Sequence, residues 1–87
     1  MAFTANFSDI GVWEAILDGP GTLRSSATVT GTPEGGVLAA MARAMESHGP
    51  QDWSTWRFRA EWLGQPALRT VHFRWSGGEL VRLAGHG

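Results

Sequence analysis

The chain contains no cysteine, no lysine and no tyrosine. Without cysteine there is no disulfide framework, no thiolate nucleophile and no cysteine-type zinc site, so stability has to come from packing alone. All seven basic residues are arginine; beside abundant Gly, Ala and Trp, this reads as the codon bias of a GC-rich genome rather than selection for bidentate anion contacts. No sign of charge dominates either. Seven basic against eight acidic residues leave a formal charge of -1, so no overall field draws the molecule to nucleic acid or anionic lipid, and any such binding must be local. No apolar run approaches the ~18 residues of a membrane span. A content of 43% hydrophobic and 17% charged residues is too apolar for a disordered tail and predicts a soluble globule. Met1-Ala2-Phe3-Thr4-Ala5-Asn6 lacks the charged region, apolar run and cleavage site of a secretory signal, which predicts a cytoplasmic location.

Eighty-seven residues make a single domain, 1–87, with one core. Residues 10 to 30 admit two readings. Ile10, Trp13, Ile16 and Leu17 fall on one helical stripe, which fits a helix over 7–17 started by Asn6 or Ser8. The same stretch also alternates at period two. Asp18-Gly19-Pro20-Gly21 is a turn sequence, and Thr22 to Thr30 is rich in β-branched residues, so a hairpin is favoured. With Leu17 opposite Thr22, Ile16 faces Leu23, Val12 faces Ala27 and Ile10 faces Val29; only the Glu14 and Ser25 pair spoils the apolar side.

Thr32 followed by Pro33 and Glu34 predicts a helix start, and Gly49-Pro50 its end. Val37, Leu38, Met41, Ala44 and Met45 form the predicted apolar side, opposite Arg43, Glu46 and Ser47. The Met residues read as core filler, and Gly35-Gly36 as a possible one-turn delay of the start.

From Trp53 the period is two. Trp56, Phe58, Ala60 and Trp62 alternate with Arg57, Arg59 and Glu61, and Arg69, Val71, Phe73 and Trp75 alternate with Thr70, His72 and Arg74. A four-residue loop from Gly64 to Ala67 sets Trp56 against Trp75, Phe58 against Phe73 and Ala60 against Val71. A last strand over 79–84 follows Ser76-Gly77-Gly78. A plain two-residue turn would set Phe73 against Arg82, so a three-residue loop or glycine bulge is expected, aligning Val81 and Leu83 with the apolar side.

The predicted fold is therefore α+β: an antiparallel sheet of about five strands, in the order β-β-α-β-β-β, with one helix packed on one face. A helix of ~15 residues is ~22 Å long and ~10 Å across and covers one face of such a sheet. If it takes the side of Ile10, Val12, Val29, Phe58, Val71 and Phe73, the bare side carries Trp13, Leu17, Arg24, Arg57, Arg59, Glu61, His72 and Arg74. Arg57 then stands opposite Arg74, and Arg59 opposite His72. Like charges directly across a sheet repel, and relief comes from solvent, from Glu61 and Glu14, or from an acidic partner. Trp and Arg are also the residues that dominate protein interfaces. Trp56, Trp62 and Trp75 read as core, Trp13 and Trp53 as exposed anchors.

Catalytic signals are weak. His48, His72 and His86 show no metal-ligand spacing, and no nucleophile, base and orienting acid can be picked out. The chain is read as a non-enzyme with no cofactor, no metal and no catalytic residue.

The run Val12-Trp13-Glu14-Ala15-Ile16-Leu17, the Gly19-Pro20-Gly21 turn, the strand to Val29, the helix with Leu38 to Met45 and Trp53-Ser54-Thr55-Trp56 leading into strands together resemble the small WapI-like immunity proteins of bacterial polymorphic-toxin systems. The resemblance spans about residues 10–75 and implies a hairpin, helix and further strands in that order, and a binder that occludes a cognate toxin. It carries no functional residue over, and the acidic patches common among immunity proteins are not evident here. The expectation is a protein-binding module of inhibitor or immunity type, of bacterial or phage origin, that meets an acidic protein surface through Arg57, Arg59, His72, Arg74, Trp13 and Trp53. Nucleic-acid binding through the same stripe, or a homodimer, is the alternative; no membrane partner is expected.

Overall fold

A computed structural model describes residues 9–64 and 69–83. Five strands form one antiparallel sheet: β1 (Gly11–Asp18), β2 (Arg24–Gly31), β3 (Arg57–Trp62), β4 (Thr70–Ser76) and β5 (Glu79–Arg82). Between β2 and β3 lie the helix α1 (Pro33–His48) and a single 3₁₀ turn, Trp53–Thr55. The spatial order is β2-β1-β3-β4-β5. Because β2 and β3 are both antiparallel to β1 and flank it, α1 serves as the crossover between two mutually parallel strands. No helix among the described residues is long and apolar enough to cross a membrane. The 7–17 helix reading is overturned: Gly11–Asp18 is strand.

The hairpin forms in a different register from the one expected. Asp18 pairs with Arg24, Ala15 with Ala27 and Trp13 with Val29, because five residues rather than four close the loop, with the Gly19 amide donating to the Leu23 carbonyl. One extra residue exchanges the two sides of a strand. Trp13, Ala15 and Leu17 are therefore the core-facing residues, all with no exposed surface, while Ile10 and Val12 face outward. The β1 side expected to lie bare is the buried one.

Helix α1 starts where the capping residues place it. The Thr32 hydroxyl accepts from the Gly35 amide at 3.0 Å, and Gly35-Gly36 imposes no delay. Its buried stripe is Pro33, Gly36, Val37, Ala40, Met41 and Ala44. Leu38 and Met45, expected on that stripe, stand exposed. Small residues win the contact because they let the backbone come close: a Cβ on Gly36 would already touch Ala15 and Val29 at 3.4 Å. Burying Val37 and Met41 contributes about 1.5 to 3 kcal/mol each.

The β3–β4 register is the expected one, with Phe58 opposite Phe73, Arg59 opposite His72 and Ala60 opposite Val71; residues 65–68 of the connection between the two strands lie outside the described residues. Residues 1–8 and 84–87 do too. The β4–β5 turn differs from expectation. Gly77 and Gly78 both hold positive φ, 61° and 81°, as a tight two-residue hairpin turn requires. Trp75 consequently pairs with Leu80 and Phe73 with Arg82, so Leu80 and Arg82, not Val81 and Leu83, share the helix side.

The core is a layer between α1 and the sheet: Trp13, Ala15, Leu17, Val37, Ala40, Met41, Ala44, Trp56, Phe58, Ala60 and Phe73. Trp56 is core as expected, while Trp62 and Trp75 are half-buried and packed against it. The Trp56 indole N–H is buried without a partner among the described residues.

Candidate functional site

On the face away from α1, alternation brings Glu14, Ile16 and Asp18 of β1 beside Arg24 of β2 and Arg57, Arg59 and Glu61 of β3, with His72 and Arg74 of β4 next in line. No element among the described residues packs over this surface; Arg24, Arg57, His72 and Arg74 are exposed. A depression of about 280 Å³ lies in it, lined by Ile16, Asp18, Arg57, Phe58, Arg59 and His72.

The arginines here are not equivalent. Arg59 is held between two carboxylates, Asp18 at 3.6 Å and Glu61 at 3.2 Å, and Arg24 meets the same Asp18 at 3.1 Å. Arg57 and Arg74, immediately beyond the Phe58–Phe73 pair on their strands, make no ion pair among the described residues. Two guanidiniums on neighbouring strands repel, a cost that Asp18, directly opposite Arg57 on β1, offsets in part. Glu14 and Glu61 form a like-charged pair as well, directly opposite each other.

Of the six residues singled out from the sequence, the structure gathers Arg57, Arg59, His72 and Arg74 on one surface. It does not bring Trp13 there. Trp13 lies on the opposite side of the sheet at 0% exposure, its indole N–H donating to the Asp9 carbonyl at 2.8 Å and its ring set edge-on against Trp62 at 5.0 Å. Trp53 also belongs to the helix side. It is half-buried, with ring centres 5.3 Å from Trp56 and 6.2 Å from Phe58. Asp18 and Ile16 were missed as lining residues, although Asp18 shares its alternation with Glu14 and so had to face outward with it.

A second cluster, also missed, lies on the helix side. Arg69 and Arg82 follow the alternation of the inward aromatic residues, and an arginine on an apolar face calls for a carboxylate. Asp9 supplies it, accepting from Arg69 at 2.8 Å and from Arg82 at 3.1 Å. Arg82 also reaches Glu34 in the first turn of α1 at 2.7 Å, tying β5 to the helix. Their guanidiniums lie over rings, Arg69 over Trp13 at 5.3 Å and Arg82 over Phe73 at 5.9 Å, which favours the cations further. Burial alone would raise the Asp9 carboxyl, but hydrogen bonds and charge from Arg69 and Arg82 outweigh it and hold the group below its ordinary 3.8. Neutralised internally, this cluster has a structural role. Among the described residues no three His, Cys, Asp or Glu side chains gather to hold one metal ion.

Comparison with protein-family models, with curated proteins and with solved structures found no match to this chain.

Proposed function

We propose that the chain is a non-enzymatic protein-binding module of the cytoplasm, of inhibitor or immunity type, that occludes an acidic partner surface with the open face of its sheet. The observation that carries this reading is the pair Arg57 and Arg74, exposed, just past the Phe58–Phe73 pair and in no ion pair among the described residues, beside His72 and the depression at Ile16. An acidic partner turns that repulsion into attraction and steers its own approach. Arg59, already fixed by Asp18 and Glu61, gives the surface a rigid centre. Protein is favoured over nucleic acid because the four arginines of this face, Arg24, Arg57, Arg59 and Arg74, stand among Glu14, Asp18, Glu61 and Glu79, which breaks up the continuous basic stripe a phosphate backbone needs. The pattern-level resemblance to immunity proteins points the same way.

The test is capture from a native-host extract on immobilised protein, with the retained proteins identified by mass spectrometry. The double variant Arg57→Glu, Arg74→Glu should lose the specific partner while its thermal midpoint stays within a few degrees of the parent, since exposed charges contribute little to stability. Retention of the same partner by the double variant would show that another surface is used.

A further inference from the structure

We infer that the outer edge of β2 is a second docking site, which takes an extended acidic segment of a partner protein as a sixth strand. The inference rests on the protein-binding reading but not on the Arg57–Arg74 surface. Two independent observations lead to it. First, among the described residues β2 ends the sheet, and its eight residues keep unbroken register with β1 from Arg24 to Gly31, with no bulge. From Ser25 to Gly31 the strand has neither charge nor proline. Natural edges are normally blunted by such devices or kept short, and the opposite edge obeys the rule: β5 has four residues, two of them Glu79 and Arg82. An open ladder of N–H and C=O groups is the surface to which an extended peptide adds, main chain giving affinity and flanking pockets giving specificity.

Second, a pocket of suitable chemistry adjoins this edge. A groove of about 340 Å³ runs between the Arg24 end of β2 and the last turns of α1, lined by Arg24, Ser25, Ser26, Arg43, Ala44, Ser47 and His48. Two of its residues are arginines, one is a histidine and three carry hydroxyls, one of which, Ser25, is already committed to the Ala40 carbonyl at 2.7 Å. No carboxylate lines it. Arg24 has Asp18 as its partner on the open face, whereas Arg43 has no ion pair among the described residues. Charge complementarity therefore specifies an Asp or Glu at the end of the incoming strand that lies beside Arg43. A second copy of this chain fits less well, because the strand it would lay along the edge, Arg24–Gly31, carries an arginine and no acid.

Selection of displayed random octapeptides on the full chain tests the inference, followed by mapping of the winning peptide through backbone amide shifts. The expected consensus alternates β-branched residues and carries Asp or Glu at one end. Its shifts should fall on residues 24–31 and 43–48, its affinity should drop at least about tenfold on Arg43→Glu, and it should be unchanged on Arg57→Glu, Arg74→Glu. Failure to enrich any acidic, strand-forming sequence would overturn the inference, as would shifts centred on Arg57, His72 and Arg74, or concentration-dependent β2 shifts without peptide, which mark self-pairing. Because the open-face double variant is measured in parallel, the β2 site can fail while the Arg57–Arg74 surface stands, and the reverse.

Discussion

The two sides of the sheet hold ion clusters of the same composition, two arginines and two carboxylates each, and put them to different use. On the helix side, Asp9 joins Arg69 and Arg82, and Arg82 joins Glu34. On the open side, Asp18 joins Arg24 and Arg59, and Arg59 joins Glu61. What separates them is water: the Asp9 side chain is 8% exposed and that of Asp18 is 44% exposed. A carboxylate removed from solvent must be neutralised or the fold suffers, whereas one in solvent is nearly indifferent to its partner. The helix side is thus committed to folding. The open side keeps its charges available.

The sharpest way to break this contrast is at the two neighbouring residues Trp13 and Val12, which point to opposite sides of β1. Trp13→Ala removes a fully buried indole and should cost about 3 to 5 kcal/mol in urea unfolding, enough to unfold a domain this small. Val12→Ala, on the exposed side, should cost less than about 1 kcal/mol. Comparable losses at the two positions would mean that the open side is covered in solution.

The next contrast is between the carboxylates. Asp9→Asn removes the carboxylate that Arg69 and Arg82 share over their aromatic rings; since Arg82 keeps Glu34 and both arginines are themselves partly in water, the expected loss is about 2 kcal/mol rather than the larger figure for a fully buried pair. Asp18→Asn should cost under about 0.5 kcal/mol. The pH dependence gives the sign independently. The Asp9 carboxyl is lowered by folding, so its contribution is complete above the ordinary value of 3.8 and lost as pH falls through the lower folded value. Below pH ~4 the parent should lose stability more steeply than Asp9→Asn does. Equal slopes would remove Asp9 from the account.

Much of this was legible in the chain, for reasons that vary by element. In β3 and β4 one side is aromatic and the other charged, so a single register satisfies both, and Phe58 meets Phe73 as the alternation demands. Strand β1 is apolar on both sides. Val12 and Ile16 compete with Trp13, Ala15 and Leu17, and only Glu14 and Asp18 mark the outward side. The loop that decides between them is shaped from far away: the Trp56 ring sits against Gly19, where a Cβ would fall 2.6 Å from it, and nothing local announces that contact. Arg82 misled for the same reason. It looks wrong opposite Phe73 until Asp9 and Glu34, distant in sequence, are seen to hold it. Of the open face, Arg57, Arg59, His72 and Arg74 follow from alternation alone, whereas the groove beside β2 needs the helix end and the strand edge brought together in space.

The smallest expected effect has the opposite sign, and it bears most directly on what the open side is for. Glu14 and Glu61 stand directly opposite on β1 and β3, and like charges in that position repel. Glu14→Gln keeps the shape and removes the repulsion, so it should stabilise the chain by about 0.3 to 0.5 kcal/mol at low salt. The gain should shrink in ~1 M salt, where charges more than about 3 Å apart are screened. A matching substitution toward neutrality on the helix side, Asp9→Asn, moves stability the other way. If neutralising Glu14 also destabilises, the open-side charges are part of the fold's own support, like Asp9, and the case for a surface held ready for a partner loses its footing. If it stabilises, the open-side carboxylates do not support the fold as Asp9 does, and the arginines beside them are left as the charges an acidic partner meets.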